Sequence, residues 1–241
     1  MEIFAAKSLT LVSSEIFLSF DVSPPNRPPL VTATQFILVR HGETAWNREG
    51  RIQGHLDSPL NADGIAQART LAERLRMESF AALISSDLGR ARRTAQYISM
   101  RTGHTVIVDT RLRERQYGIF EGLTRSEAKS VYPDVYARYE DESVTYAIPG
   151  GESAEECFLR NLECLQELAD RYPDRRIVVV THGGVLDGLY RHVMGLPHVG
   201  SRAFAIVNAS LNRFTYENDV WRLDRWGDVG HLGQSESLDD I

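Results

Sequence analysis

From residue 35 onward, short aliphatic runs take turns along the chain with longer stretches in which apolar residues recur every three or four positions. Phe36-Ile37-Leu38-Val39 reads as a buried strand, Ala81-Ala82-Leu83-Ile84-Ser85 and Val106-Ile107-Val108 as two more, and Ile177-Val178-Val179-Val180 as a central one. Between them the helical period takes over. A helix is expected from about Ala62 to Met77, with Leu60, Ile65, Ala68, Leu71 and Leu75 on one face, and a second over residues 88 to 101. A third should run from about Ser153 to Tyr172, where Phe158, Leu162, Leu165, Ala169 and Tyr172 recur at helical spacing, and a fourth from Gly184 to Met194. Two further strands are expected near residues 211 to 216 and 219 to 225. Strands alternating with amphipathic helices predict an α/β fold, a three-layer sandwich whose mostly parallel central sheet carries helices on both faces.

Two segments depart from this rhythm. Residues 1–34 hold a short apolar stretch interrupted by Glu15 and then Ser23-Pro24-Pro25-Asn26-Arg27-Pro28-Pro29, a linker composition. Glu2 offsets Lys7 and the apolar stretch is short, so neither a secretory signal nor a membrane span is expected. These residues read as a loosely ordered extension, with an upstream translation start as one origin, and residues 35–241 as a single domain. Residues 125–141 are helical but polar and broken by Pro133, and Pro149-Gly150-Gly151 follows as a sharp turn. The segment near 124–150 is therefore expected to form a lid-like insertion, with Tyr132, Tyr136, Arg138, Tyr139 and Tyr146 as candidate specificity contacts.

Composition adds limits. With 42% apolar and 25% charged residues the chain is of ordinary globular make-up. A net charge of -6 gives no general attraction to nucleic acid or acidic membranes, so an anionic substrate would need positive charge concentrated locally. Cys157 and Cys164 lie on one expected helix about 10 Å apart, too far for a disulfide, and reduced thiols suit the cytoplasm. His55, His104, His192, His198 and His231 show no metal-ligand spacing, so no metal is expected.

In open α/β sheets ligands bind beyond the carboxyl ends of the strands. There the sequence places Arg40-His41-Gly42 after the first strand, Ser85-Ser86-Asp87 with Arg90 after the second, and Thr181-His182-Gly183-Gly184 after the fourth. Arg40-His41-Gly42-Glu43-Thr44 with Trp46-Asn47 resembles the signature of the histidine phosphatase superfamily, also called the phosphoglycerate mutase-like family. Gln53-Gly54-His55-Leu56-Asp57-Ser58-Pro59-Leu60, the run from Ser85 to Ala95, Leu112-Arg113-Glu114 with Gly118 and Glu121-Gly122, and Thr181-His182-Gly183 match further motifs in order. The match spans residues 35 to about 225.

The resemblance implies a phosphomonoesterase for small phosphorylated metabolites. His41 would be the nucleophile that forms a phosphohistidine, Arg40 and Arg90 the forks on the phosphoryl oxygens, and His182 a donor to them. Glu114 would be the general acid and then base. Arg40, Thr44, Asn47, Gln53, Gly54, Arg90 and Gly183 are the expected substrate-binding residues. No cofactor is expected. The alternative is a cofactor-dependent phosphoglycerate mutase, which would need 2,3-bisphosphoglycerate; Glu114-Arg115-Gln116-Tyr117-Gly118 leans that way. Gly183-Gly184 after His182, where the mutases resemble His-Gly-Asn, and Ile148-Pro149-Gly150-Gly151-Glu152-Ser153 lean towards phosphatases. A silent binding module would have lost a central residue. A dinucleotide enzyme, a P-loop ATPase and an esterase are disfavoured by the lack of Gly-x-Gly-x-x-Gly, Gly-Lys-Ser/Thr and Gly-x-Ser-x-Gly runs. The expected partners are a small phosphorylated substrate, without nucleic acid or membrane, in a monomer or homodimer.

Overall fold

The computed structural model describes residues 33–141, 144–198, 200 and 202–233. Among the described residues six strands form one sheet in the order β3-β2-β4-β1-β5-β6. They are β1 Ala33–Arg40, β2 Ala82–Ser85, β3 Val106–Val108, β4 Arg176–Thr181, β5 Leu211–Glu217 and β6 Val220–Asp228. The first four run parallel, β5 pairs antiparallel with β1, and β6 returns along β5. Asn218 and Asp219, both with positive φ, make the two-residue turn of that last hairpin.

Alternation along the strands sorts side chains to two cores. Phe36 and Leu38 of β1 and Ile177 and Val179 of β4 pack with Cys164, Leu165 and Leu168 of α6 (Ala154–Arg171) and Leu186 and Leu189 of α7 (Gly183–Val193). On the opposite face Ile37, Val39, Val178 and Val180 meet Ala68, Leu71 and Leu75 of α2 (Ala62–Arg76) and Ala91, Ala95 and Ile98 of α3 (Gly89–Thr102). Each fully buried aliphatic side chain stabilises the fold by roughly 1.5 to 3 kcal/mol. The three-layer α/β expectation therefore holds, since both faces of the sheet are needed to bury these runs.

The helices begin where capping chemistry permits. Asn61 caps α2 through Gly64 N, and Ser153 with Glu156 forms a capping box at α6. The polar stretch over 125–141 divides into α4 (Arg125–Val131), capped by Thr124 and Glu127, and α5 (Pro133–Asp141), with proline at its first position. These two helices share a small third core of Phe120, Ala128, Tyr136 and Ile148. Cys157 and Cys164 are free and buried.

The extension expected over residues 1–34 lies outside the described residues as far as 32, and at its end the structure corrects the boundary. Ala33 and Thr34 belong to β1, where Ala33 pairs with Glu217 and the Thr34 hydroxyl donates to the Ala169 and Tyr172 carbonyls at 3.1 and 3.0 Å. The polar Thr34 masks this continuation of the strand in a search for apolar runs.

Candidate active site

Because β1 and β4 are parallel neighbours with Arg40 opposite Thr181, the residues that follow them emerge side by side. His41 N donates to Thr181 O at 3.0 Å, and the His41 and His182 ring centroids lie 5.2 Å apart. Gly42 lets the chain turn against α2: a Cβ there would stand 2.5 Å from Gly64 O. Asn208 steadies the turn from the other side by donating its amide to His41 O at 3.0 Å.

His41 is buried, with Nδ1 2.8 Å from the Gly42 carbonyl oxygen. A carbonyl only accepts, so this contact assigns the hydrogen to Nδ1 and leaves the lone pair on Nε2. Burial, then the charges of Arg90 and Arg40, hold the imidazole pKa well below its ordinary value and keep the ring neutral near pH 7. His182 is likewise depressed, by burial first and then by Arg90, His41 and Arg40. Its Nε2 lies 2.8 Å from Ser86 Oγ, while its Nδ1 is buried without a partner.

Arg90 extends from the first turn of α3 and is 1% exposed. Nη1 donates to Leu56 O at 2.9 Å and to Asp57 Oδ1 at 3.2 Å, and Nη2 to Gly54 O at 2.8 Å; Nε is buried without a partner. Burial lowers its pKa while Glu114 and Asp57 oppose that, so the guanidinium keeps its charge. Arg40 is buried as well, with one guanidinium nitrogen donating to Ile206 O. The local positive charge required of an acidic chain is thus held rigidly at one sheet edge.

Glu114 follows a 3₁₀ turn, Thr110–Leu112, and its carboxylate is gripped by two backbone donors, Arg115 N at 2.7 Å and Gly184 N at 2.9 Å. Gly184 leaves room for this carboxylate, since a Cβ there would come within 2.2 Å of Glu114 Oε1. His55 reaches the same segment, its Nε2 2.9 Å from Glu114 O.

A cavity of about 1170 Å³ opens over these groups, lined by Arg40, His41, Asn47, Gln53, Gly54, Arg90, Glu114 and Gly183 among others. His182 is fully buried, its ring against that of His41. Thr44, expected among the binding residues, does not line the cavity. The Thr44 hydroxyl caps α1 (Ala45–Glu49), accepting from Asn47 N and donating to Asn47 Oδ1, so it is committed to the backbone turn. Asn47 Oδ1 takes that hydroxyl and Thr44 N, both at 3.0 Å. Gln53 is buried with its Oε1 unpartnered. Tyr136 and Tyr139 of α5 line the cavity, as do Tyr117 and Arg115.

Several contributors escaped sequence reasoning. Asp57 and Ser86 sit inside motifs already noted, yet only the fold reveals their partners, Arg90 and His182. Glu121 binds the amides of His55, Leu56 and Tyr117 and so shapes the loop beneath the cavity, while a Cβ at Gly54 would strike it at 2.1 Å. Asn208 carries no motif at all. Arg92 and Arg93 are exposed on α3. Among the described residues no group of three or more His, Cys, Asp or Glu is placed to hold a metal ion. No described helix is long and apolar enough to cross a membrane.

The sheet order, the paired histidines and the arginine forks define the class: the chain belongs to the histidine phosphatase superfamily, branch 1, whose pattern matches residues 36–229. Phosphoglycerate mutase-like protein 4 of Arabidopsis thaliana is 41% identical over 212 residues, covering 86% of this chain and 91% of the relative. A metal-independent phosphoserine phosphatase of the same plant is 38% identical over 202 residues, covering 83% of each. Among solved structures, a mycobacterial glucosyl-3-phosphoglycerate phosphatase superposes with a TM-score of 0.69 at 34% identity, covering 81% of this chain and 99% of that one.

Proposed function

We propose that the chain is a metal-independent phosphomonoesterase that hydrolyses small phosphorylated metabolites through a phosphohistidine on His41. The observation that carries this reading is the state of His41, neutral, anchored at Nδ1 by the Gly42 carbonyl and flanked by two buried arginines. A phosphoryl group held by Arg40 and Arg90 meets the Nε2 lone pair in line. The P–N bond forms as the ester P–O bond breaks, and Glu114 delivers a proton to the leaving oxygen. Water then attacks phosphorus, Glu114 takes its proton, and the P–N bond breaks to release phosphate and restore His41. His182 donates to the phosphoryl oxygens, with Asn47, Gln53, Gly54 and Gly183 completing the subsite. The segment near 124–150 acts as the lid over the substrate, within a single domain that begins with β1 at Ala33.

Water is favoured over a second phosphoglycerate as acceptor by the pairing of three of the outer cations, with Arg115, Arg125 and Arg202 lining the cavity beside them. Arg48 is paired with Glu43 and Asp63, Arg51 with Glu49 and Glu127, and Arg191 with Asp187, although all three line the cavity. A mutase needs such cations to retain a bisphosphate, so 2,3-bisphosphoglycerate is not assigned as a cofactor. The two free thiols accord with a cytoplasmic enzyme, a monomer or homodimer without nucleic-acid or membrane partners.

The purified chain should hydrolyse an aryl phosphate in the presence of chelator, and acid-labile, base-stable phosphate should be trapped on His41. His41→Ala should lose at least about 10⁴-fold in kcat. A His41→Ala enzyme as active as its parent refutes the mechanism, and fast phosphoglycerate isomerisation dependent on bisphosphoglycerate refutes the choice of acceptor.

A further inference from the structure

A neutral imidazole carries one hydrogen, and which nitrogen bears it decides what the ring offers to a ligand. For His182 the neighbours settle the question by counting protons. Ser86 follows β2, and its amide donates to Val180 O at 3.0 Å, so its side chain arises next to the end of β4 where His182 begins α7. Ser86 is fully buried. Its hydroxyl oxygen already accepts from Leu88 N at 3.3 Å, and the acceptor within reach of its hydrogen is His182 Nε2 at 2.8 Å. If Nε2 held the hydrogen, the Ser86 oxygen would receive two donors and its own hydrogen would have no acceptor, a loss of about 1 to 3 kcal/mol for a buried group.

We infer that Ser86 is a positioning residue that donates to His182 Nε2 and thereby fixes the hydrogen on Nδ1, the buried nitrogen that has no protein partner and is left to bond a phosphoryl oxygen. This rests on the reading of His182 as a donor in phosphoryl transfer. The downward pKa of His182 agrees, since a neutral ring is the state in which tautomer choice matters. The two histidines then carry the same tautomer for opposite uses. A carbonyl fixes Nδ1–H on His41 and exposes an Nε2 lone pair; a hydroxyl occupies the Nε2 lone pair of His182 and offers Nδ1–H.

The test is a long-range ¹H–¹⁵N correlation spectrum of the histidine-labelled, full-length wild-type enzyme at neutral pH, with His182 assigned by its loss in His182→Asn. A protonated Nδ1 and an unprotonated Nε2 are expected, and a protonated Nε2 overturns the inference without any variant having to fold. In Ser86→Ala the fixed tautomer should give way to a mixture. Its kcat should fall about tenfold to a hundredfold with KM little changed, and vanadate should bind more weakly by a similar factor. A folded Ser86→Ala enzyme with the parent's spectrum and kcat also overturns it. Failure to trap phosphate on His41 would sink the phosphatase mechanism while leaving the His182 spectrum untouched, so the two failures are distinguishable.

Discussion

Arg90 directs three hydrogen bonds to Leu56 O, Gly54 O and Asp57, which leaves its buried Nε and the remaining Nη2 hydrogen as a fixed pair of donors. That division of labour is specific to a guanidinium: a lysine ammonium has three donors and could not hold the loop and a phosphoryl oxygen together. Arg90→Lys should therefore keep its charge and still lose about 10- to 100-fold in kcat/KM, since a charged hydrogen bond contributes roughly 1.5 to 3 kcal/mol. Steady-state kinetics with an aryl phosphate decides it, and a lysine variant within threefold of the parent would show that only the charge matters. At this scale the series of His41, Arg40, Arg90, Glu114 and His182 was legible as motifs, but the hydrogen-bond partners of Thr44 and Ser86 were not. A threonine one residue beyond Glu43 looks like a ligand on paper. It becomes a helix cap only once Asn47 N is seen 3.1 Å from its hydroxyl.

Among the elements, the junction of β4 with α7 carries the tightest constraint. The amide at the start of α7 orients Glu114, and the missing Cβ of Gly184 makes room for that carboxylate. Gly184→Ala should fold, because alanine favours a helix, yet it should push Glu114 off its amide and lower kcat by about 10² to 10⁴, the contribution of a positioned acid. Circular dichroism beside kcat separates the two effects; unchanged turnover would remove Glu114 from the acid–base role. Strands buried on both faces announced themselves through Phe36-Ile37-Leu38-Val39 and Ile177-Val178-Val179-Val180, because uninterrupted apolar runs leave few other places to go. Strand edges were less legible. Thr34 extends β1 by bonding two carbonyls of the α6 terminus, and β6 continues to Asp228, beyond the expected end at 225, by pairing with Leu211. Such ends are fixed by partners distant in sequence, which a local pattern does not contain.

For the molecule as a whole, two neutral histidines buried beside two arginines link stability to pH. The folded pKa of each lies below the unfolded value of 6.5, so between the two the unfolded chain binds more protons. The stability they contribute is complete above about pH 6.5 and is lost as pH falls through that value towards the folded pKa, by about 1.4 kcal/mol per pH unit for each ring. His198 and His231 are shifted in the same direction. The melting temperature should accordingly drop on acidification below pH 6.5, while His41, still unprotonated in the fold, continues to react. A His41→Asn/His182→Asn double variant should show a shallower decline; an equal slope would assign the acid sensitivity elsewhere.

The small core of Phe120, Ala128, Tyr136 and Ile148 has a consequence of another kind. It gives the stretch around α4 and α5 packing of its own, separate from the two cores that hold the sheet. Substitutions confined to α4 and α5 would act on this core and not on the two that hold the reacting groups, as in an exchangeable cassette above a fixed base. Exchanging residues 124–150 for the matching stretch of a relative should transfer that relative's order of preference among metabolite phosphates and leave turnover of a small aryl phosphate within about tenfold. A chimera that keeps this chain's preferences would locate substrate choice in the loop of Gln53 and Gly54 instead.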